Sequence, residues 1–480
     1  MIGALALILA MTVPVGIGAG LLRLVVPPLT RREPAEQLFL GGFFGLFLIT
    51  AQTCVYALLG VPRTFWSLVL PWAAILAALG AASYLIRRAR LQRLKASGRK
   101  VRQQARERVR LSWPRLGVLD VVLLVVLAVE LFWIVTATVN EPVWGWDTMV
   151  NWAQKAKIFY FDQRPDFRTL PLNSYPLGVP LAMTWVFHCL GDWNDAVGKG
   201  IFILPFVLGG LGFYAVLKSL THRTWALVAT AALLATPRLF FNLVEGYADS
   251  FLALLYGPGV LLLCRWLRDG DRWDLLAGAL CLGMTAWIKA EGLPLALIAL
   301  VLAVGVRLVA RRSWPRATAI SLGVALVLVL FAGLMWQIAV WSLKLNPLHG
   351  PGVYSVKNFV AQMTGERLRT IASHFWTEAR QWHSWGVVWF VWPVAAVLGA
   401  RRLVRPVQAL LGLAIVADLA LIFVVFITTG LPLDWHLSAA LERLMINVLP
   451  LLIALTSVQA HALFGAKKPL SPAPALPRAQ

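Results

Sequence analysis

Runs of apolar residues long enough to cross a bilayer recur along this chain, and they constrain its fold more than any other feature. A helical crossing needs about 20 apolar residues. Candidates lie at 2–22, 37–59, 64–86, 117–139, 196–217, 223–240, 249–267, 274–288, 291–307, 317–342, 384–400, 407–429 and 444–463. Lipid offers a bare backbone no hydrogen bonds, so each run is expected to be a helix. The expected fold is therefore all-α and polytopic, with about 13 transmembrane helices. Composition agrees: of 480 residues, 59% are hydrophobic and 14% charged. Soluble domains carry roughly a quarter charged residues, so an ordinary soluble fold and a disordered chain are both excluded.

The formal net charge of +22 suggests a nucleic-acid partner until it is located. Residues 87–115 hold twelve Arg and Lys against the single acid Glu107, half of the excess in one place. This block lies between two apolar runs and holds one aromatic, Trp113, rather than an interleaved set, so it reads as a topology signal retained on the cytoplasmic side, with no nucleic acid implied. Short basic loops follow at 218–223, 265–272, 307–316 and 401–405, joined by 23–32 and by Lys467 and Lys468 in the tail. All fall on one side provided that 176–190, PLGVPLAMTWVFHCL, does not cross. That stretch is short of a span and opens with Pro176, Gly178 and Pro180, so a re-entrant or interface-lying helix is expected there.

The resulting topology puts the N-terminus outside and the C-terminus inside. The N-terminal run lacks a preceding basic region and reads as a retained helix rather than a cleaved signal. The organisation expected is a three-helix membrane segment at 1–86, a basic cytoplasmic linker at 87–116, a membrane module at 117–463 and a disordered Pro/Ala-rich tail at 464–480. Cys54, Cys189, Cys264 and Cys281 lie in apolar segments without metal or disulfide spacing.

Polar residues that could carry chemistry gather in the segments assigned to the outer side. From Asp147, a helix would align Asp147, Asn151 and Lys155 on one face and Met149, Trp152, Ala156 and Phe159 on another. Such a helix lies along the membrane surface, with Asp147 among headgroups; an interface anchor capped by Asp147 fits the same pattern. Glu245 and Asp249 stand at the start of a crossing, where acids also serve as helix caps. Lys289, Glu291 and Gly292 form the apex between two short apolar runs, and an ionisable pair at that depth is either functional or a self-paired turn.

Asp434, His436, Glu442 and Arg443 stand at the entrance of the last crossing. His436 and Arg443 are seven residues apart and share a face if the helix begins early. The planar fork of Arg443 suits phosphate oxygens, although an interfacial Arg can simply snorkel. The tryptophans of the outer segments fit an aromatic belt.

In order, Trp146-Asp147, SYPLGVPL at 174–181, the GDWNDA turn, TPRLFF with GYAD, IKAEGLP and DWHLSAALERL resemble the GT-C superfamily of integral-membrane glycosyltransferases. The nearest by pattern are the protein O-mannosyltransferases and the lipid A aminoarabinose transferases, and the resemblance covers about 117–463. It implies a sugar donor on a polyprenyl phosphate, an acceptor glycan, lipid or protein, and a periplasmic active site in the bacterial inner membrane. It further implies Asp147 and Asp249 as catalytic acids and Lys289 and Arg443 as donor-phosphate ligands. Asn151, Lys155, Glu245, Glu291 and His436 are expected in support. Trp-Asp in place of a paired-acid motif leaves a divalent metal open, as do the three helices ahead of the usual first one for the domain plan. The competing expectation is a transporter or flippase for a lipid-linked or anionic substrate, which would place charges along a path through both leaflets.

Overall fold

The computed structural model describes residues 2–26, 32–96, 116–310, 316–346, 353 and 355–465. The expectations for 97–115 and for the tail from 466 onward lie outside the described residues. Among the described residues the secondary structure is all helical, and the chain is multi-pass. It opens with α1 (Ile2–Val25), α2 (Pro34–Leu59) and α3 (Phe65–Ala96), followed by α4 (Val118–Asn140), a π-helical turn at Thr148–Ala153 and α5 (Gln154–Phe161). After α6 (Gly178–Leu190) and α7 (Asp195–Lys199), a 3-10 turn leads into α8 (Ile203–Leu220). Next come α9 (Arg223–Leu234), α10 (Pro237–Glu245), α11 (Ala248–Asp269), α12 (Arg272–Ile288), α13 (Gly292–Ala310) and α14 (Arg316–Ser342). The chain continues through α15 (Val356–Gln362), α16 (Gly365–Ala379), α17 (Trp382–Trp385), α18 (Val388–Leu398), α19 (Pro406–Thr428) and α20 (Leu433–Phe464).

Among the described residues, 10 helices are long and apolar enough to cross a membrane, or 11 if α9 and α10, bent by 54°, form one span. The sequence count of thirteen is not reached by length and composition. The Lys289–Glu291 turn stops α12 at 17 residues. The 384–400 run breaks at Gly386, whose φ of 57° interrupts the helix and leaves α18 with 11 residues. The stretch 176–190 forms α6, 13 residues long and buried from Gly178 to His188, with the Trp185 indole donating to the Ala10 carbonyl at 2.9 Å. It is too short to cross and is enclosed by protein.

Apolar side chains gain little from leaving lipid, so close packing and hydrogen bonds must join the helices. In α1 and α2 this takes the form of backbone contact: a Cβ on Gly18 would overlap the Gly41 carbonyl, and one on Gly45 the Pro14 carbonyl. Helix α11 is the central post, buried along nearly all its length and packed on α8, α12, α19 and α20. Exposed Val, Leu, Phe and Trp side chains on α4 and α14 form a lipid-facing surface.

The bundle has two distinct polar ends. At one, where α1, α8 and α11 finish and α2, α9 and α12 begin, Arg265 bonds Glu36 at 2.7 and 3.0 Å and Asp274 at 2.8 Å. Arg32 joins the same two acids, at 2.6 Å to Asp274. The other end holds the residues singled out above.

Candidate active site

Three chain breaks bring the site together. The first is the turn after α4, where the chain widens into a π-helical segment directly after Asp147; such segments are rare and frequent at functional sites. The Thr148 hydroxyl donates to the Glu245 carbonyl at 2.8 Å, fastening this turn to the end of α10. The second break is Gly246, in left-handed conformation at φ 80°, where a Cβ would lie 2.8 Å from the Thr148 methyl. It delivers Tyr247 and, in the first turn of α11, Asp249. The third is the Lys289–Gly292 turn, closed by the Gly292 amide on the Lys289 carbonyl at 3.0 Å and by the Thr285 hydroxyl on the Gly292 carbonyl at 3.0 Å.

Three ion pairs result. Lys289 Nζ lies 2.6 Å from Asp249 Oδ1 and 3.2 Å from Glu291 Oε1. Asp249 is 1% exposed, so its carboxylate is desolvated behind Lys289 and would be intolerable there without it. Arg443, one turn into α20 from Ala439, donates Nη1 to Asp147 and Nε to the Ala439 carbonyl at 3.1 Å. Its guanidinium lies 4.8 Å from the centre of the Tyr247 ring, a cation–π contact that holds the fork flat.

Four of these groups, Asp147, Lys289, Glu291 and Arg443, face a cavity of about 780 Å³. Asp147, Lys289, Glu291, His436 and Arg443 form its polar wall, while Leu421, Val424, Val425 and Leu444 form an apolar wall from α19 and α20. Tyr175, Trp146 and Trp435 supply aromatic faces. Because α20 starts at Leu433, His436 and Arg443 do lie in one helix, two turns apart.

Several expectations change. Asp249 does not line the cavity but holds Lys289 from behind. Glu245 contributes its carbonyl to Thr148, and its carboxylate is not in the cavity wall. Asn151 and Lys155 do not present a polar face along the membrane surface: they are 1% and 0% exposed, turned inward together with Trp152. The π-helical segment shifts the register, so the regular helical face does not persist. Lys155 Nζ donates to the Leu172 carbonyl at 2.9 Å and lies 5.8 Å from the Tyr175 ring centre. Burial pulls Lys155 down to about 7. Leu172, at φ 42°, and Tyr175 both line the cavity, so Lys155 shapes that wall from outside it. Burial also pushes the Tyr175 phenol well above its usual range.

Sequence reasoning did not select Tyr175 or Tyr247, although both lie inside segments it singled out, SYPLGVPL and GYAD. The usable signal was an aromatic placed beside a helix-breaking Pro or Gly within those segments. For a divalent cation the donor set is poor: among the described residues no three His, Cys, Asp or Glu side chains are placed to hold a metal ion, and Asp147 and Asp249 are each paired with a cationic side chain. No family model, curated protein or solved structure matches the chain.

Proposed function

We propose that the protein is a membrane glycosyltransferase of the GT-C kind, moving a sugar from a polyprenyl-phosphate donor to an acceptor hydroxyl or amine. In this reading the cavity opens on the non-cytoplasmic face of a bacterial inner membrane, and α12 and α18 count as short crossings among thirteen. The observation that carries it is the meeting of Asp147, Lys289 and Arg443, from three distant parts of the chain, around one cavity with an apolar wall. Its size falls within the usual range for small-molecule sites, about 300–1,000 Å³.

The donor phosphate fits between Lys289 and Arg443, whose charge offsets the negative charge that grows on the leaving phosphate. Phosphate oxygens on the Arg443 fork exchange with Asp147, which frees that carboxylate beside the acceptor. The acceptor oxygen or nitrogen attacks the anomeric carbon, the carbon–oxygen bond to phosphate breaks, and the phosphate leaves with the bonding pair. The acceptor proton passes to Asp147, a general-base step worth roughly 10²–10⁴-fold. Trp146, Tyr175 and Trp435 offer faces on which a sugar ring stacks, and the lipid tail follows the α19–α20 wall.

Asp147→Asn keeps the shape and loses the base. In membrane vesicles given radiolabelled polyprenyl-phosphate sugars, the variant should bind donor and fail to transfer label. Transfer at the wild-type rate would remove Asp147 from the chemistry and the reading with it.

A further inference from the structure

A second cleft, of about 420 Å³, lies where α2 and α14 end on the same side of the bundle as the reaction cavity. Leu58, Leu59 and Leu343 form its apolar part, and Arg164, Asp166 and Arg168 its polar rim. Leu58 and Leu59 are 47% and 66% exposed in the last turn of a membrane span, so the apolar part faces lipid.

The two arginines are placed without being paired. The Arg164 guanidinium lies across Gly60, the left-handed residue that ends α2 at φ 68°, and a Cβ there would overlap it. Arg168 Nε donates to the Leu343 carbonyl at 3.1 Å, which fixes the side chain at the cleft, and its terminal amino groups bond no described residue. Asp166 is occupied with the Arg168 amide at 3.0 Å, and no described carboxylate forms an ion pair with either guanidinium. Arg63 nearby differs: its terminal amino groups are committed to the carbonyls of Phe159, Asp162 and Gln163. Two planar forks at the mouth of an apolar cleft match a phosphodiester with acyl chains below it.

We propose that this cleft binds one anionic phospholipid, its phosphate between Arg164 and Arg168 and its chains along Leu58 and Leu59. The bound lipid is structural rather than reacting, because the chain segment 164–175 stands between it and the reaction cavity. That segment has two faces: Arg164 to Arg168 border the lipid cleft, and Leu170 and Leu172 to Tyr175 border the cavity. Asn173 ties the faces together, donating to the Arg168 carbonyl at 2.9 Å and accepting from the Asn346 amide at 3.1 Å. Lipid at the rim therefore holds the cavity wall in place, whatever reaction the cavity performs.

The test uses the full chain, delipidated in detergent and titrated with dioleoyl phosphatidylglycerol, dioleoyl phosphatidylcholine or sn-glycerol 3-phosphate, read by native mass spectrometry and thermal unfolding. Wild type should retain one phosphatidylglycerol and unfold at higher temperature with it. R164Q/R168Q should bind it about tenfold more weakly, near the worth of one charge-assisted hydrogen bond. Phosphatidylcholine should give no matching shift. R164K/R168K, which keeps the charge, should recover most of the effect and shows that the Gln pair has not simply misfolded. Equal phosphatidylglycerol shifts in wild type and R164Q/R168Q, or no recovery in the Lys pair, overturn the site. An equal shift with glycerol 3-phosphate alone overturns the lipid and makes the ligand a soluble phosphate.

Discussion

The two polar ends of the bundle use the same residue types to opposite purposes. At one end Arg32 and Arg265 meet Glu36 and Asp274, two cations with two acids, all at most 11% exposed by side chain. Every charge of this group is matched within it. At the other end Lys289 and Arg443 meet Asp147, Asp249 and Glu291, so acids outnumber cations and the group opens on 780 Å³. Glu291 shows the difference in one side chain: Oε1 lies on Lys289, while the buried Oε2 has no hydrogen-bond partner. A balanced network closed on its own partners locks helices together. An unbalanced one beside a cavity has carboxylate to spare for a substrate.

The largest contrast should come from removing one charge at each end. Asp147→Asn should lower transfer by at least about 10²-fold with little change in unfolding temperature, because its side chain is 24% exposed and Arg443 keeps the Tyr247 ring. Arg265→Leu should do the reverse, leaving the buried Glu36 and Asp274 with Arg32 as their one remaining cation among the described residues, at a cost of about 3–5 kcal/mol. Folded protein recovered from that variant should transfer at close to the wild-type rate. The comparison breaks if Arg265→Leu lowers turnover per folded molecule as far as Asp147→Asn does.

Intermediate effects sharpen the division of labour inside the open end. Arg443→Ala should weaken donor binding by about 1.5–3 kcal/mol, the worth of a charged hydrogen bond, measured as donor affinity in the absence of acceptor. Unchanged affinity would take Arg443 out of the phosphate contact. Asp249→Asn should act through Lys289, raising the donor concentration needed for half-maximal rate and destabilising the α11–α12 contact together. The same Asn change at Glu291's neighbour Ala290 has no such expectation, since Ala290 lines the cavity without charge; normal donor dependence in Asp249→Asn would show that Lys289 needs no positioning.

How much of this was legible in sequence follows from range. Helix positions were, because lipid forces each apolar run to satisfy its own backbone, and Asp147, Lys289, Glu291, His436 and Arg443 stood out as charges or polar groups at run ends. What failed was local geometry that depends on breaks. The regular face drawn through Asp147, Asn151 and Lys155 assumed an α-helical period, and the π-helical turn at Thr148–Ala153 removed it. The span count assumed unbroken runs, and Gly386 and the 54° bend between α9 and α10 interrupt two of them. The place of Asp249 behind Lys289 depends on the pairing of α11 with α12, which no pattern along one helix contains.

Lys155 gives the smallest effect and the cleanest separation between the ends. At the locked end each buried Arg has carboxylates; Lys155, 0% exposed, has one carbonyl and two aromatic rings. Its charged form is therefore disfavoured in the fold, at about 7, against about 10.4 in an unfolded chain. Between these values the unfolded state holds more protons than the folded one, so this residue makes stability rise with pH through that window and adds nothing further above it. Below about pH 7 both states are protonated and the full penalty of the buried charge remains. Lys155→Met removes the titrating group and keeps most of the volume, so its unfolding temperature should lie above that of wild type at pH 6.5, and the gap should narrow by pH 9. The slope attributable to Lys155 cannot exceed about 1.4 kcal/mol per pH unit, the value for one proton. Parallel curves for the two proteins from pH 6.5 to 9 would mean that Lys155 keeps its proton in the fold, held by the Leu172 carbonyl and the rings of Trp152 and Tyr175 as firmly as a carboxylate would hold it.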